Sequence, residues 1–489
     1  MSYHLLTGAT GLLGNYLMRN LLLAGVPVAV LVRPGRRQTA RQRVELLLAE
    51  WEDVLGQPLP RPVVLEGDIS QPDLGLDAVS LRWAAEYCTA VIHNAASLTF
   101  HATSREGEPF RSNIEGTRNV LEFCRGTRIR KFHHVSTAYV AGLRTGRVLE
   151  TEQDVGQKFS NDYEESKLAA EQMVREADFI DTPTVFRPAI IIGDSKTGVT
   201  TTYHGFYAAL QLVHTIVKSQ PINESGYVMG QTARLALTGQ ETKHLVPVDW
   251  VADFMLHVLQ NPELHGKTYH LTPKHPVTTR TIRDVLEDSN RFFGAHFVGA
   301  ARPENLSDAE AVFYDHIRVY DSYWRMDPEF DRTNTEAAAP HMPCPHVNYD
   351  MLLRLSQIVI AAGFPTPSKK PVDIEHDVQT YLQPWTEAGS RLTARAGGKR
   401  QLALDVYGPG GGQWQLIVRD GQIVGAEVGI HDEAAATCRI ESRDLITLFQ
   451  GQTSLSQLIG GGQLELLGDD AETDECVDVM EQLVGLPVN

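Results

Sequence analysis

Residues 4–33 read HLLTGATGLLGNYLMRNLLLAGVPVAVLVR, and this stretch constrains the fold more than any other. A short apolar strand over Tyr3–Leu6 runs into Gly8, Gly11 and Gly14. An amphipathic helix follows to about Ala24, Gly25 stops it, and a second strand covers Val28–Val32. This is the start of a β-α-β unit with a glycine turn. The glycines let the backbone approach a pyrophosphate, which then sits on the helix N-terminus. The context, a strand before and a helix after, separates this turn from an incidental glycine triplet. The residues expected to hold a dinucleotide here are Thr7, Gly8, Thr10, Gly11, Leu12, Leu13 and Gly14.

The second strand ends in Arg33, with Arg36 and Arg37 just beyond. An acidic residue at that point would bind the ribose 2′-hydroxyl, whereas arginine suits a 2′-phosphate. NADPH (the NADP couple) is therefore expected over NADH, with Arg33 and Arg36 as its contacts.

Four further strand patterns follow: PVVLEGDIS (62–70), AVIHNAASL (90–98), KFHHVSTAYVAG (131–142) and TPTVFRPAIIIGD (182–194). Helical patterns fill most of the gaps. The alternation predicts an α/β fold, a Rossmann-type doubly wound parallel sheet. Ligands bind such sheets beyond the carboxyl ends of the strands.

The chain has 489 residues, too many for one core. Its net charge of −17 argues against nucleic acid and anionic membrane as partners. Five scattered cysteines without CxxC spacing fit a reducing cytoplasm rather than a disulfide framework. No signal-peptide pattern and no apolar run of about 18 residues is present, so a cytoplasmic protein without an integral membrane segment is expected. HMPCPH (341–346) reads as a loop, and no metal is expected.

The motifs resemble, one by one, the extended short-chain dehydrogenase/reductase superfamily. TGATGLLG has its G-x-x-G-x-x-G spacing. The resemblance implies that Asp68, followed by Ile69, contacts the adenine amino group. It implies that Asn94, Ala95 and Ala96 of HNAA line the cofactor, and that Arg187-Pro188 lies near the nicotinamide. Asn113 in SNIEGTRNVL matches the structural Asn of the N-x-x-G-T helix and is counted with the catalytic set. Tyr163 and Lys167 in NDYEESK match the Y-x-x-x-K pair. On a helix such residues share a face, about 5–6 Å apart at Cβ. A neighbouring ammonium is expected to lower the tyrosine pKa, and the pair then passes a proton to a developing alkoxide. Ser136 or Thr137 of VSTAYV would donate a hydrogen bond to the same oxygen.

Within the superfamily, HVSTAYVAG and DYEESK resemble the fatty acyl-CoA reductase and thioester reductase, or male sterility, branch. That likeness implies an acyl thioester substrate, on CoA or an acyl carrier protein, reduced to an aldehyde or on to the alcohol. The expected organisation is a reductase over residues 1–385. Its dinucleotide-binding core covers about 1–195 and 246–272, and its smaller substrate lobe about 196–245 and 273–385. A proline-rich loop is expected over 361–373, followed by a helix in DIEHDVQTYLQPW.

From Gly389 the texture changes to alternating apolar residues with Gly-Gly-Gly and Asp-Gly turns, an antiparallel meander. Strand, helix, helix and strand follow, with Leu445, Leu448, Leu455 and Leu458 on one side. WQLIVRDG and the closing LIGGGQLELLGD resemble the sterol carrier protein 2 family. The resemblance implies an α+β domain over 389–489, a five-stranded sheet with helices over a lipid tunnel.

The expected function is thus an NADPH-dependent reductase of long-chain acyl thioesters, with lipid held in the C-terminal domain. Alternatives are a dehydrogenase or reductase of a hydrophobic ketone, aldehyde or sterol-like alcohol, a nucleotide-sugar epimerase, and a non-enzymatic lipid carrier. An oligomer is compatible with all of them.

Overall fold

Seven apolar segments form one all-parallel sheet: β1 (Tyr3–Thr7), β2 (Val28–Val32), β3 (Val63–Glu66), β4 (Cys88–His93), β5 (Lys131–Val135), β6 (Thr184–Pro188) and β7 (Thr268–Leu271). The computed structural model describes residues 2–218, 220–224, 233–317, 324–365, 377–389, 400–430 and 434–484. The strand order is β7-β6-β5-β4-β1-β2-β3. β2 reads VAVLV and is wholly buried, and β1 and β4 are buried but for one position each, matching strands covered on both faces. Helices α1 (Leu12–Leu23), α2 (Ala40–Leu55), α3 (Ala78–Tyr87), α4 (Gly116–Thr127) and α5 (Asp162–Glu176) connect or flank them. The strand order reverses between β1 and β4, and the glycine turn after β1 opens at that crevice.

The sixth segment expected from sequence is divided. After β6, Ile190–Ile192 leaves the main sheet and pairs in parallel with Leu245–Pro247. This hands the chain to a lobe whose core includes Phe206, Tyr207, Ile282, Val285, Leu352 and Leu355. Residues 329–344 return to the dinucleotide domain instead of staying in the lobe, with Phe330 and Ala339 in its core.

A second core lies at the C-terminus. Strands β8 (Arg400–Tyr407), β9 (Gly412–Arg419), β10 (Gln422–Val428), β11 (Ala436–Glu441) and β12 (Leu464–Leu467) form a mixed sheet in the order β10-β9-β8-β11-β12. Asp420 and Gly421 both have positive φ, the type I′ geometry that closes the β9–β10 hairpin. Leu445, Leu448, Leu455 and Leu458 are all buried beneath the sheet. The helix Val378–Gly389 buries Val378 and Leu382 in this core. The boundary drawn from sequence at 385–389 therefore falls at the end of a helix that belongs with the second core. The loop expected over 361–373 lies outside the described residues beyond 365.

Among the described residues no helix is long and apolar enough to cross a membrane. Among them, too, no group of three His, Cys, Asp or Glu could hold a metal ion, and HMPCPH is irregular chain.

Candidate active site

A cleft of about 450 Å³ lies over the carboxyl ends of β1, β4 and β5. Its floor at one end is the glycine turn. Gly8 has φ +72°, and a Cβ there would sit 2.7 Å from the Ala95 nitrogen. A Cβ on Gly14 would sit 2.0 Å from the Gly8 carbonyl oxygen, so only glycine lets α1 approach the turn. No side chain caps α1 at Gly11, and Thr10, Gly11, Leu12 and Leu13 line the cleft. Its first amides are thus free to bind an anion there. This cradle fits a dinucleotide pyrophosphate.

Thr7 and Asn94 build the cradle from beneath. Thr7 is fully buried, and its Oγ1 accepts from the Asn94 and Ala95 amides at 3.1 Å each. It also bonds His93 Nδ1 at 2.9 Å, and His93 Nε2 reaches Thr117 Oγ1 at 3.0 Å. Asn94 Nδ2 donates to the Gly8 carbonyl at 3.1 Å. Ala95 and Ala96 line the cleft beside them.

At the adenosine end Arg33 and Ile69 line the cleft. Asp68 stands behind, its Oδ1 accepting from Ser70 N at 2.9 Å and its Oδ2 3.7 Å from Arg33 Nη1. Arg36 is exposed and does not line the cleft. Its place is taken by Arg43, which sequence reading missed. Arg43 donates to the Arg33 carbonyl at 2.6 Å and to Thr10 Oγ1 at 3.1 Å. Burial lowers its pKa, and the nearby Arg33 adds to that lowering.

At the other end α5 presents Tyr163 and Lys167. Asn161 caps the helix, its side chain accepting from Glu164 N. Tyr163 and Lys167 are both buried and line the cleft. Burial raises the Tyr163 pKa, and the Thr137 hydroxyl works against that rise. The expected lowering by Lys167 is not what the structure gives. Lys167 Nζ donates instead to the Val135 carbonyl at 2.7 Å, and burial pulls its own pKa down to about 8. Desolvation dominates because both groups are enclosed.

Ser136 and Thr137 follow the end of β5 and both line the cleft, but their hydroxyls have different neighbours. Thr137 bonds toward Tyr163, and its Oγ1 also lies 3.4 Å from the Pro188 carbonyl. Ser136 lies on the Glu171 side, lowering that carboxyl's pKa. Asn113 lies behind the cleft. Its Nδ2 donates to Ser166 Oγ at 2.9 Å, and its Oδ1 accepts from Ser97 N at 2.8 Å, tying α5 to the loop after β4.

Arg187 does not reach the cofactor cleft, although Pro188 does. Its guanidinium is buried against Glu171, His270 Nε2 and the Glu152 carbonyl. Neighbouring residues of a strand point to opposite faces, so one of the pair faces the cleft and the other the interior.

Two further groups were absent from the sequence reading. Tyr139 lines the cleft and donates to Asp327 Oδ2 at 2.8 Å. His204 and Gly205 close the Tyr163 end from the lobe side. The helix Phe206–Lys218 starts there and runs to a second cavity of about 600 Å³ inside the lobe. That cavity is lined by Val213, Ile216, Leu235, Ile282, Phe313 and Trp324 among others.

The male sterility protein family matches residues 6–255. A non-canonical nonribosomal peptide synthetase of Aspergillus campestris is 28% identical over 299 residues, 58% of this chain and 27% of that protein. An aldehyde reductase of Aspergillus flavus is 26% identical over 302 residues, 58% of this chain and 28% of that protein. The match thus spans about a quarter of the length of these curated relatives. Among solved structures, the terminal R domain from the myxalamid PKS-NRPS biosynthetic pathway is similar with a TM-score of 0.61 at 25% identity, covering 76% of this chain and 93% of that one. A thiolation-reductase di-domain from an archaeal nonribosomal peptide synthetase shares the fold, with a TM-score of 0.56 at 18% identity over 74% of this chain and 76% of that one. With just over half of its 489 residues matched, the chain belongs to the male sterility protein family, and its parallel-sheet domain is a nicotinamide-dinucleotide-binding domain of the extended short-chain dehydrogenase/reductase type.

Proposed function

We propose that the protein is an NADPH-dependent reductase of long-chain acyl thioesters, giving aldehyde and, with a second hydride, alcohol. One observation carries the reading. Tyr163, Thr137 and Lys167 stand at the end of the cleft where the helix Phe206–Lys218 begins, and that helix leads to an apolar cavity. Gly205 lines the cleft and Ala209 lines the cavity, about 6 Å further along the helix at 1.5 Å per residue. A carbonyl held at Tyr163 therefore has room for an apolar tail beside it. A cavity of about 600 Å³ is within the range of ligand sites.

Bound in the cleft, the dinucleotide supplies the hydride. Tyr163, kept protonated by burial, donates a proton to the oxygen that becomes negative. Thr137 donates a hydrogen bond to that oxygen, and Lys167 supplies positive charge beneath it. The tetrahedral thiohemiacetal then expels thiol. Arg33 and Arg43 favour the 2′-phosphate of NADPH over the bare ribose of NADH. The synthetases and the thiolation-reductase pair among the similar proteins support a thioester on a carrier protein rather than on free CoA. The aldehyde reductase among them supports the runner-up, reduction of a hydrophobic aldehyde at the same site.

The C-terminal unit is proposed to be a lipid-holding module like sterol carrier protein 2, in keeping with its five-stranded sheet and buried leucines. The experiment that tests the substrate reading is turnover of acyl thioesters of increasing chain length by the wild type and by Val213→Trp, which fills the cavity. KM is expected to rise for long chains and stay unchanged for short ones. Equal effects at all lengths would remove the cavity from the substrate path.

A further inference from the structure

Among the described residues, hydrogen bonds tie the C-terminal unit to the dinucleotide domain at two places. At the first, Tyr3 Oη accepts from Ile430 N at 2.8 Å, Trp83 Nε1 donates to the Val428 carbonyl at 2.7 Å, and Tyr87 Oη donates to Glu427 at 2.9 Å. At the second stands Arg41, in the first turn of α2. Its Nη1 donates to Gln379 Oε1 at 2.6 Å and pairs with Asp377 Oδ1 at 3.1 Å. Its Nη2 donates to the carbonyls of Gly410 and Gly411 at 2.9 and 2.5 Å. All four acceptors belong to the C-terminal unit.

Two residues on, Arg43 faces the other way and bonds Thr10 and the Arg33 carbonyl inside the cofactor cleft. A step of two residues turns about 200° around a helix axis, so the two guanidinia leave opposite sides of one turn. That turn is stiff. Thr39 and Gln42 form a reciprocal capping box, and Ala40 N donates to Glu66 at 3.2 Å. The segment leading into it, residues 33–37, is exposed. One short rigid element thus carries the grip on the C-terminal unit and a cation of the cofactor cleft.

We propose that the C-terminal unit braces the cofactor site through Arg41: its grip fixes the first turn of α2 so that Arg43 and Arg33 face the 2′-phosphate, and docking of the unit and binding of NADPH favour each other. Arg41 is a positioning residue and touches no part of the cofactor itself. The inference rests on the 2′-phosphate reading of Arg33 and Arg43 given above. Coupling of this kind is reciprocal and amounts to about fivefold or more in affinity.

The test is titration of the full chain with NADPH and with NADH, followed by nucleotide fluorescence, for the wild type, Arg41→Ala and Arg43→Ala. Arg41→Ala is expected to weaken NADPH about five- to tenfold and to leave NADH unchanged. In the wild type, NADPH and not NADH is expected to slow amide hydrogen exchange around Gly410–Gly412 and Gln379. If Arg43→Ala loses the NADPH preference while Arg41→Ala keeps it, the brace is overturned and the 2′-phosphate reading stands. If neither variant changes the preference, both fall. Should Arg41→Ala fail to fold, the wild-type exchange experiment decides alone, and equal protection by the two nucleotides overturns the proposal.

Discussion

Arg187 and Glu171 form a two-point ion pair inside the fold, Nε to Oε2 at 3.0 Å and Nη2 to Oε1 at 2.6 Å, with both side chains 1% exposed. Burial alone would raise the Glu171 carboxyl. Arg187 and Arg175 outweigh it and hold the pKa at about 2.

Breaking that pair leaves Glu171 in the interior with Arg175 still bound to it. Arg187→Met is expected to cost about 3 kcal/mol in urea unfolding, the low end for a broken buried pair. Arg130→Ala, which removes an exposed pair with Asp181, should cost under about 1 kcal/mol. The Glu171 contribution is fully present above the ordinary carboxylate range. It is lost as pH falls from about 4.5 toward about 2, because the folded pKa is the depressed one. An Arg187→Met protein as stable as the wild type would remove this pair from the list of what holds α5 in place.

Tyr163→Phe should abolish turnover, by at least about a hundredfold if general acid catalysis is lost. Cofactor affinity should stay near wild type. Retained turnover would show that the proton comes from elsewhere.

The pH profile follows from Lys167. Burial lowers its pKa to about 8, so it is charged at neutral pH and loses its proton as pH rises through that value. The rate is expected to fall above about pH 8, roughly tenfold per pH unit. Tyr163 adds no limb there, because burial moves its pKa upward. A flat profile to pH 9.5 would contradict a charged Lys167 in the reacting state.

Arg43→Ala and Arg33→Asp should each lower the NADPH/NADH preference. A hydrogen bond to a charged group is worth about 1.5–3 kcal/mol, or roughly ten- to a hundredfold. The ratio of kcat/KM for the two nucleotides checks it. An unchanged ratio in both variants would remove the 2′-phosphate from the specificity of the site.

The glycine turn, the parallel sheet and the Y-x-x-x-K face could be read from the sequence because each is a local rule. Gly8 and Gly14 are needed for backbone reasons, and Tyr163 and Lys167 share a helix face whatever surrounds them. Arg43 could not be read that way. It lies on the next helix, and only the packing of α2 against the turn brings it to Arg33. Arg187 was drawn into the site by its neighbour Pro188. On a strand, adjacent residues face opposite ways, and a motif does not state which of them meets the cleft. The helix Val378–Gly389 was placed with the first domain because it follows that domain in the chain. Its apolar face in fact packs against the second core. The loss of the Lys167 effect on Tyr163 has the same root, since burial is a tertiary property that no spacing contains.

The most direct measurement is nucleotide oxidation by the purified full chain with a palmitoyl thioester, offered on CoA and on a carrier protein, with the product identified by mass spectrometry. Aldehyde or alcohol formed in step with NADP⁺, one or two equivalents per chain reduced, is the expected result. Tight NADPH binding with no oxidation on either carrier, and reduction of a hydrophobic ketone or aldehyde instead, would contradict the thioester reductase reading.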